Sequence, residues 1–326
     1  MTALHALFIG SGPLLVRCAD VWTARGHRIA AVLTDCPEVR GWADRHGVRA
    51  APAAAEVGEA LGDGEVDFLF SVVNHRVTPE ALLRRARRGA INYHDALLPA
   101  LAGFHAPAWA ILDGHATHGI TWHRMTAEVD AGAVYAQVPL PVAREDTAFT
   151  LAARCAAAAL DAFAELVDRA SAGPLVERPQ AGVRSFHGRS ERPAAAALLD
   201  WRPGAVPADR LLRALDFGPD DNPLGVPKLW DGAGPLWVGE WAFGAATGAA
   251  TGTVLAVEDG AVVVAADGRQ LRLAALRDAA GRERSAAQLA AAGLAPGRPL
   301  PRADDALRAR VTEFDERVRR SERFWV

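Results

Sequence analysis

The chain has 326 residues, half of them apolar and 23% charged, with a formal net charge of −3 and a pI near 6.4. That length exceeds one ordinary domain, and the composition belongs to a globular protein rather than a disordered, collagen-like or coiled-coil one. A slightly acidic chain has no basic field to hold nucleic acid or an anionic membrane, so neither partner is favoured, and no apolar run reaches the ~20 residues of a membrane span.

In chain order, residues 4–9 (LHALFI), an apolar run stopped by Gly10-Ser11-Gly12-Pro13, predict a buried strand, followed by a helix-compatible stretch to Arg25. Further strands are predicted at 27–35, 67–74 and 89–94, with Ala-, Leu- and Arg-rich helical segments between them. Strand alternating with helix implies parallel pairing, and continuous apolar strands imply a sheet covered on both faces, a doubly wound α/β fold. A short helix is expected over 104–113, then strands over 119–125 and 131–142. The clearest helix is 145–169: Asp146 or Thr147 can cap it, and Leu151, Cys155, Ala159, Phe163 and Leu166 recur at helical spacing.

Residues 173–193 are rich in Pro, Gly, Arg and Ser without periodicity and read as a linker. The expected division is a first α/β domain over 1–172, a linker over 173–196, a small mainly-β domain over 197–303 and a terminal helix or connector over 304–326. Within the second domain, residues 251–276 contain three alternating strands separated by Asp259-Gly260 and Asp267-Gly268, dipeptides suited to the positive φ of tight hairpins. They predict an antiparallel meander, open or closed into a small barrel. The last segment puts Leu307, Val311, Phe314 and Val318 on one helical face and ends on the aromatic pair Phe324-Trp325, either to pack on this chain or to lead into another domain. Cys18, Cys36 and Cys155 are far apart and odd in number, which indicates reduced thiols, and no signal-peptide pattern follows Met1, so a cytoplasmic location is expected.

The stretch INYHDALLP (91–99) carries the candidate chemistry. Side chains alternate along a strand, so Asn92 and His94 point the same way and Tyr93 the other. His94 stands at the carboxyl end of its strand, where open α/β sheets bind ligands. Pro99 biases Leu98 away from helix, so Leu97-Leu98-Pro99 is expected to run extended as an apolar wall. A histidine's tautomer depends on what its other nitrogen meets, and Asp130, 36 residues further on in Glu128-Val129-Asp130-Ala131-Gly132, is the candidate partner.

Asn-x-His-x-x-Leu-Leu-Pro, followed at that spacing by Val-Asp-Ala-Gly, resembles the signature of the N10-formyltetrahydrofolate-dependent formyltransferases. The similarity extends to AGFHAPAWAILDGHATHGITWHRM and to 199–230, which resembles the start of the barrel-like C-terminal domain of longer members. It implies a Rossmann-like catalytic domain with a parallel sheet, followed by a small OB-like barrel. It further implies Asn92, His94 and Asp130 as catalytic triad, N10-formyltetrahydrofolate as co-substrate, and no metal. The same resemblance places the pterin between 71–83 and 124–132, held by backbone groups of Arg76, Val77, Thr78, Thr126, Ala127 and Val129, with Leu83 lining the pocket. The sequence NYHDALLP, HGITWHRM and DFGPDDNPLGVPKL is most similar to formylating domains attached to nonribosomal peptide synthetases. The implied partners are an aminoacyl carrier protein or a small amine acceptor, with possible neighbouring synthetase domains. One departure is Ala96, where most relatives carry serine; the hydroxyl's hydrogen bond is missing, which bears on loop geometry.

Other patterns are weaker. His115-x-x-His118 has no cysteine or carboxylate at a recognisable metal-ligand spacing, so His105, His115, His118 and His123 read as loop and pocket-rim residues, with His123 placed to touch substrate. Gly10-Ser11-Gly12 with Asp35 at the end of the second strand lacks the third glycine of a dinucleotide fingerprint. The arginines at 84, 85, 87 and 88 read as a solvated face. A catalytically degenerate docking scaffold is the non-enzymatic alternative, against which the intact triad argues.

Overall fold

The computed structural model describes residues 2–61 and 64–322; the aromatic pair Phe324-Trp325 lies outside them. Two compact units result: Met1–Pro107, Ala116–Ala143 and Thr150–His187 form the first, and Ala108–His115, Arg144–Phe149 and Gly188–Val326 the second.

The elements run β1 (His5–Gly10), α1 (Gly12–Ala24), β2 (Arg28–Leu33), α2 (Pro37–Arg45), β3 (Ala50–Ala51), α3 (Ala54–Leu61), β4 (Val66–Val72), α4 (Glu80–Leu83), β5 (Ala86–His94), β6 (Ala102–Gly103), α5 (Ala106–Leu112), β7 (Thr117–Arg124), β8 (Val134–Pro141), α6 (Ala148–Ala172) and β9 (Phe186–His187). The main sheet has the order β3-β2-β1-β4-β5-β7-β8. Its first five strands pair in parallel as expected, whereas β7 pairs antiparallel with both β5 and β8. The short 125–133 connection between β7 and β8 permits only that antiparallel return.

The sequence of β4 explains why the sheet is covered on both faces. Phe68 and Phe70 join Phe8, Trp22, Ile91, Trp122 and Phe163 on one face, under α1 and α6. Leu69 joins Leu7, Ile9, Val57, Leu82 and Ala90 on the other. Phe70 packs 5.0 Å from Phe163 and 5.2 Å from Trp22 (ring centroids), both edge-on, contacts worth about 0.5–1.5 kcal/mol each beyond burial. The alternation also sets the direction of the candidate residues. Ile91 and Tyr93 belong to the aromatic side, so Asn92 and His94 project from the opposite face.

Two expectations are corrected. Leu97-Leu98-Pro99 does not run extended: the chain enters a turn at 98–101, and the Leu98–Pro99 peptide is cis. Residues 174–187, read as linker, are built into the first unit, where β9 pairs in parallel with β6. Backbone pairing and polar side chains hold this segment in place, so it has no apolar periodicity to read.

In the second unit come α7 (Ala194–Ala197), α8 (Ala208–Ala214), β10 (Lys228–Trp230), β11 (Pro235–Trp237), β12 (Glu240–Ala246), β13 (Val254–Glu258), β14 (Ala261–Ala266), β15 (Arg269–Ala274), α9 (Ala286–Ala291) and α10 (Asp305–Glu322). The meander β13-β14-β15 continues to β12 in a four-stranded antiparallel sheet, and β10 and β11 form a separate pair. Asp259, Gly260, Asp267 and Gly268 all have positive φ, between 48° and 78°, as two-residue hairpins require. Leu307 of α10 packs on Ala195, Leu198 and Ala303, while Phe314 is exposed.

Candidate active site

Asn92 and His94 sit on the last turns of the β5 pleat, directly opposite His123 and Thr121 of β7 in the antiparallel register. All four therefore share the face away from Trp122 and Tyr93. The loop between β7 and β8 returns Asp130 over this row, with its carboxylate 3.6 Å from His94 Nδ1 and 3.4 Å from His123 Nε2. The three polar residues expected from the sequence are thus brought together, and His123 is added to them as a full member. The signal for it was present: its alternation with Trp122 along a strand beside β5.

The backbone around the carboxylate is specialised. Asp130 has φ +52°, a left-handed value that asparagine and aspartate tolerate better than most side chains. Gly103 N–H donates to Asp130 Oδ2 at 2.9 Å. Gly103 has φ +96°, and a Cβ there would lie 2.1 Å from the His187 carbonyl oxygen. Gly132 answers a second close approach, since its Cβ would meet the Arg124 carbonyl oxygen at 1.9 Å.

Proton positions follow from the fixed acceptors. His94 Nε2 lies 2.8 Å from the Leu101 carbonyl oxygen, which only accepts, so Nε2 carries a hydrogen. The imidazole therefore has one nitrogen left for chemistry, Nδ1, which faces Asp130. His123 Nδ1 likewise donates to the Arg124 carbonyl at 2.9 Å. Its Nε2 is 3.1 Å from Asn92 Nδ2: neutral His123 accepts the Asn92 N–H there, and protonated His123 donates to Asp130 instead. Burial pushes the Asp130 pKa up, but the His123 hydrogen bond, the His94 charge and the Gly103 N–H together outweigh it and bring the pKa down to about 2. The carboxyl is an anion at any working pH, although its side chain is only 9% exposed.

The loop after His94 keeps its geometry without a hydroxyl at position 96. Ala96 is fully buried, and its carbonyl accepts Thr121 Oγ1–H at 2.6 Å. Thr121 Oγ1 in turn accepts Leu98 N–H, and Gln137 Nε2 donates to the Leu98 carbonyl at 3.0 Å. Thr121 and Gln137 supply the polar contacts, and the Ala96 methyl is dry.

The candidate folate contacts occupy two stretches of loop. Asn74 engages the Arg76 backbone at both its N–H and its carbonyl, and the Arg76 side chain reaches the Pro52 carbonyl and pairs with Asp35. Val77 is 90% exposed, Thr78 is buried with Oγ1 accepting from Asn74, and Leu83 packs beside Met125 on the cluster containing Leu82. In the other loop, Thr126 donates to the Glu128 carbonyl, Ala127 is exposed, and Val129 is half exposed. Gly10 is explained by strand packing, because a Cβ would lie 1.8 Å from the Val72 carbonyl oxygen. Among the described residues no group of three His, Cys, Asp or Glu is placed to hold a metal ion, and no helix is long and apolar enough to cross a membrane.

Residues 24–167 match the formyl transferase family (Formyl_trans_N). The chain is 34% identical to methionyl-tRNA formyltransferase of Acidithiobacillus ferrooxidans over 233 residues, which covers 70% of this chain and 72% of that protein. It is 32% identical to GDP-perosamine N-formyltransferase of Brucella melitensis over 170 residues, 52% of this chain and 64% of that enzyme. The fold is also that of an N-formyltransferase from Helicobacter canadensis solved with folinic acid and dTDP-3-aminofucose, at a TM-score of 0.64 and 13% identity, covering 84% of this chain and 99% of that one. By motif, site geometry and extent of match, the chain belongs to the formyltransferase family.

Proposed function

We propose that this chain transfers the formyl group of N10-formyltetrahydrofolate to a primary amine, the α-amino group of an aminoacyl thioester on a carrier protein. The observation that carries the transfer is His94, with one ring nitrogen spent on a carbonyl and the other facing a buried, ionised carboxylate. The folate donor supplies a formyl carbon whose bond to N10 breaks as its bond to the acceptor nitrogen forms. Neutral His94 takes the proton of the attacking amine at Nδ1, and Asp130 compensates the imidazolium charge. That proton then passes to the departing N10, so His94 ends neutral. The Asn92 N–H not engaged by His123 donates to the formyl oxygen as negative charge develops, a contribution of about 3–4 kcal/mol where such donors have been removed. The pterin is assigned to the 71–83 and 124–132 loops. The exposed Val77 and Val129 side chains support this, since a flat aromatic ligand would cover them.

The acceptor reading rests on chemistry and on motif similarity. An α-amino group has a reference pKa near 7.7–8.0 and is partly neutral near pH 7, whereas a lysine-like amine near 10.4 is almost wholly protonated. The net charge of −3 argues against a tRNA-borne acceptor, and the synthetase-like motifs favour a carrier protein. A second reading, an amino sugar or another small amine such as hydroxyornithine, is supported by the GDP-perosamine and dTDP-3-aminofucose relatives. The test supplies N10-formyltetrahydrofolate with aminoacyl carrier proteins, nucleotide amino sugars, hydroxyornithine and Met-tRNA, and measures formyl mass gain. Formylation of the sugars alone would overturn the carrier reading, and no product from any acceptor, with wild-type and His94→Ala protein alike, would overturn the transfer itself.

A further inference from the structure

The segment 178–187 touches both loops that set the site. It enters beside β8 through two backbone hydrogen bonds between Arg178 and Val134. Gln180 then places its side-chain amide between two carbonyls, donating to Asp130 O and Gly132 O, each at 2.8 Å. Arg184 donates to Val129 O at 2.8 Å and Asp130 O at 3.4 Å. Ser185 turns to the other loop: its Oγ accepts Leu101 N–H at 2.8 Å and its N–H donates to Pro99 O. Leu101 is the residue whose carbonyl fixes the His94 tautomer, and its φ of +55° is one that leucine does not adopt unaided. Asp130 is also left-handed, a conformation aspartate tolerates better than leucine does. Two left-handed residues, one on each side of the imidazole, are therefore held by a single strap from outside.

We propose that Gln180 is a positioning residue for formyl transfer: by clamping the carbonyls on both sides of Ala131 it fixes the Asp130 carboxylate against His94 and His123, without itself touching either substrate. The inference rests on the reading above that His94 and Asp130 serve the transfer. Both N–H groups of the Gln180 amide are used, and both acceptors lie in the Asp130 turn, so losing them frees this loop in particular. The charged and titratable groups facing the carboxylate are His94 of β5 and His123 of β7, while Arg184 of the strap reaches the backbone carbonyls of Val129 and Asp130.

The test is Gln180→Met in the full chain, which keeps the side-chain length and removes both donors; Val183→Ala, at a strap residue 87% exposed, is the control. Two readouts are taken: kcat at saturating donor and acceptor, and the carboxyl titration of Asp130 by 13C NMR on the protein alone. Gln180→Met is expected to lower kcat by roughly 10–100-fold, since about 1 Å of misplacement has that effect. It is expected to raise the Asp130 titration by about one unit as its partners recede, with Val183→Ala at wild-type values. A kcat within about twofold of wild type, or an unmoved Asp130 titration, overturns the proposal. If wild-type protein formylates no acceptor, the transfer reading fails on its own account and the carboxyl titration still decides the clamp. If Gln180→Met does not fold, Gln180→Asn carries the same expectation, because its amide falls one methylene short.

Discussion

Replacing Asp130 with Asn removes one charge and little else. The side chain keeps its volume, and its Oδ1 can still accept Gly103 N–H, the 2.9 Å contact that anchors the carboxylate. What is lost, in the proposed mechanism, is the attraction for the imidazolium formed when His94 takes the amine proton. At 3.6 Å between His94 Nδ1 and Asp130 Oδ2, two unit charges interact by about 4–5 kcal/mol at an effective dielectric of ~20. A transition state in which the proton is only half transferred feels about half of that. The loss is therefore about 2–5 kcal/mol of transition-state stabilisation, roughly 30- to 5,000-fold in kcat. The assay is single-turnover formyl transfer with excess donor, beside a melting curve to verify that the variant folds. A folded Asp130→Asn protein within fivefold of the wild-type rate would refute the charge-compensation argument and leave His94 a purely steric or hydrogen-bonding role.

The same carboxylate makes stability depend on pH. Its folded pKa of about 2 lies below the ordinary aspartate value of 3.8, so its contribution is fully present above pH 3.8 and is lost as pH falls through about 2. Integrated, that is about 2 kcal/mol, and acid denaturation of wild type minus Asp130→Asn should show the gap closing across that window. Gly103→Ala adds a Cβ 2.1 Å from the His187 carbonyl at φ +96°, so β6 and β9 must separate and the Asp130 N–H partner moves; a loss of about 1–3 kcal/mol in thermal unfolding and a fall in kcat are expected together. Ala96→Ser should leave kcat within about threefold, because Thr121 and Gln137 already hold the loop, whereas Thr121→Val should lower it by roughly tenfold or more through the lost 2.6 Å bond to Ala96 O. The reverse pattern, a strong effect at 96 and none at 121, would show that the loop is held in another way.

The parts of the site legible in the sequence are those set by local rules. A period of two along INYHDALLP put Asn92 and His94 on one face, and the Phe68-Leu69-Phe70 run announced a sheet covered on both sides. The hairpin dipeptides at 259–260 and 267–268 named their turns through positive φ. The parts that were not legible depend on main-chain atoms meeting across long separations. The Leu101 carbonyl decides which His94 nitrogen carries the hydrogen, yet any residue type offers a carbonyl, so no pattern marks it. The strap at 178–187 reads as linker because it is held by Gln180, Arg184 and Ser185 reaching backbone 48 to 84 residues away, where periodicity has no meaning.

That difference has a consequence for how the chemistry is distributed. The side chains proposed to meet the substrate sit on β5 and β7, inside a sheet locked by an aromatic core, and their positions are over-determined. The groups that tune them, Leu101 O, Gly103 N–H and the Asp130 turn, all sit on loops bound mainly through the strap. Sheet-borne side chains and loop-borne tuning groups make the rate more sensitive than the fold to changes in the strap, since Gln180, Arg184 and Ser185 hold these loops through hydrogen bonds to backbone. Substitutions of Gln180, Arg184 or Ser185 should therefore lower kcat while melting temperature barely moves, and a proportional loss of both would place the strap in the core of the fold instead.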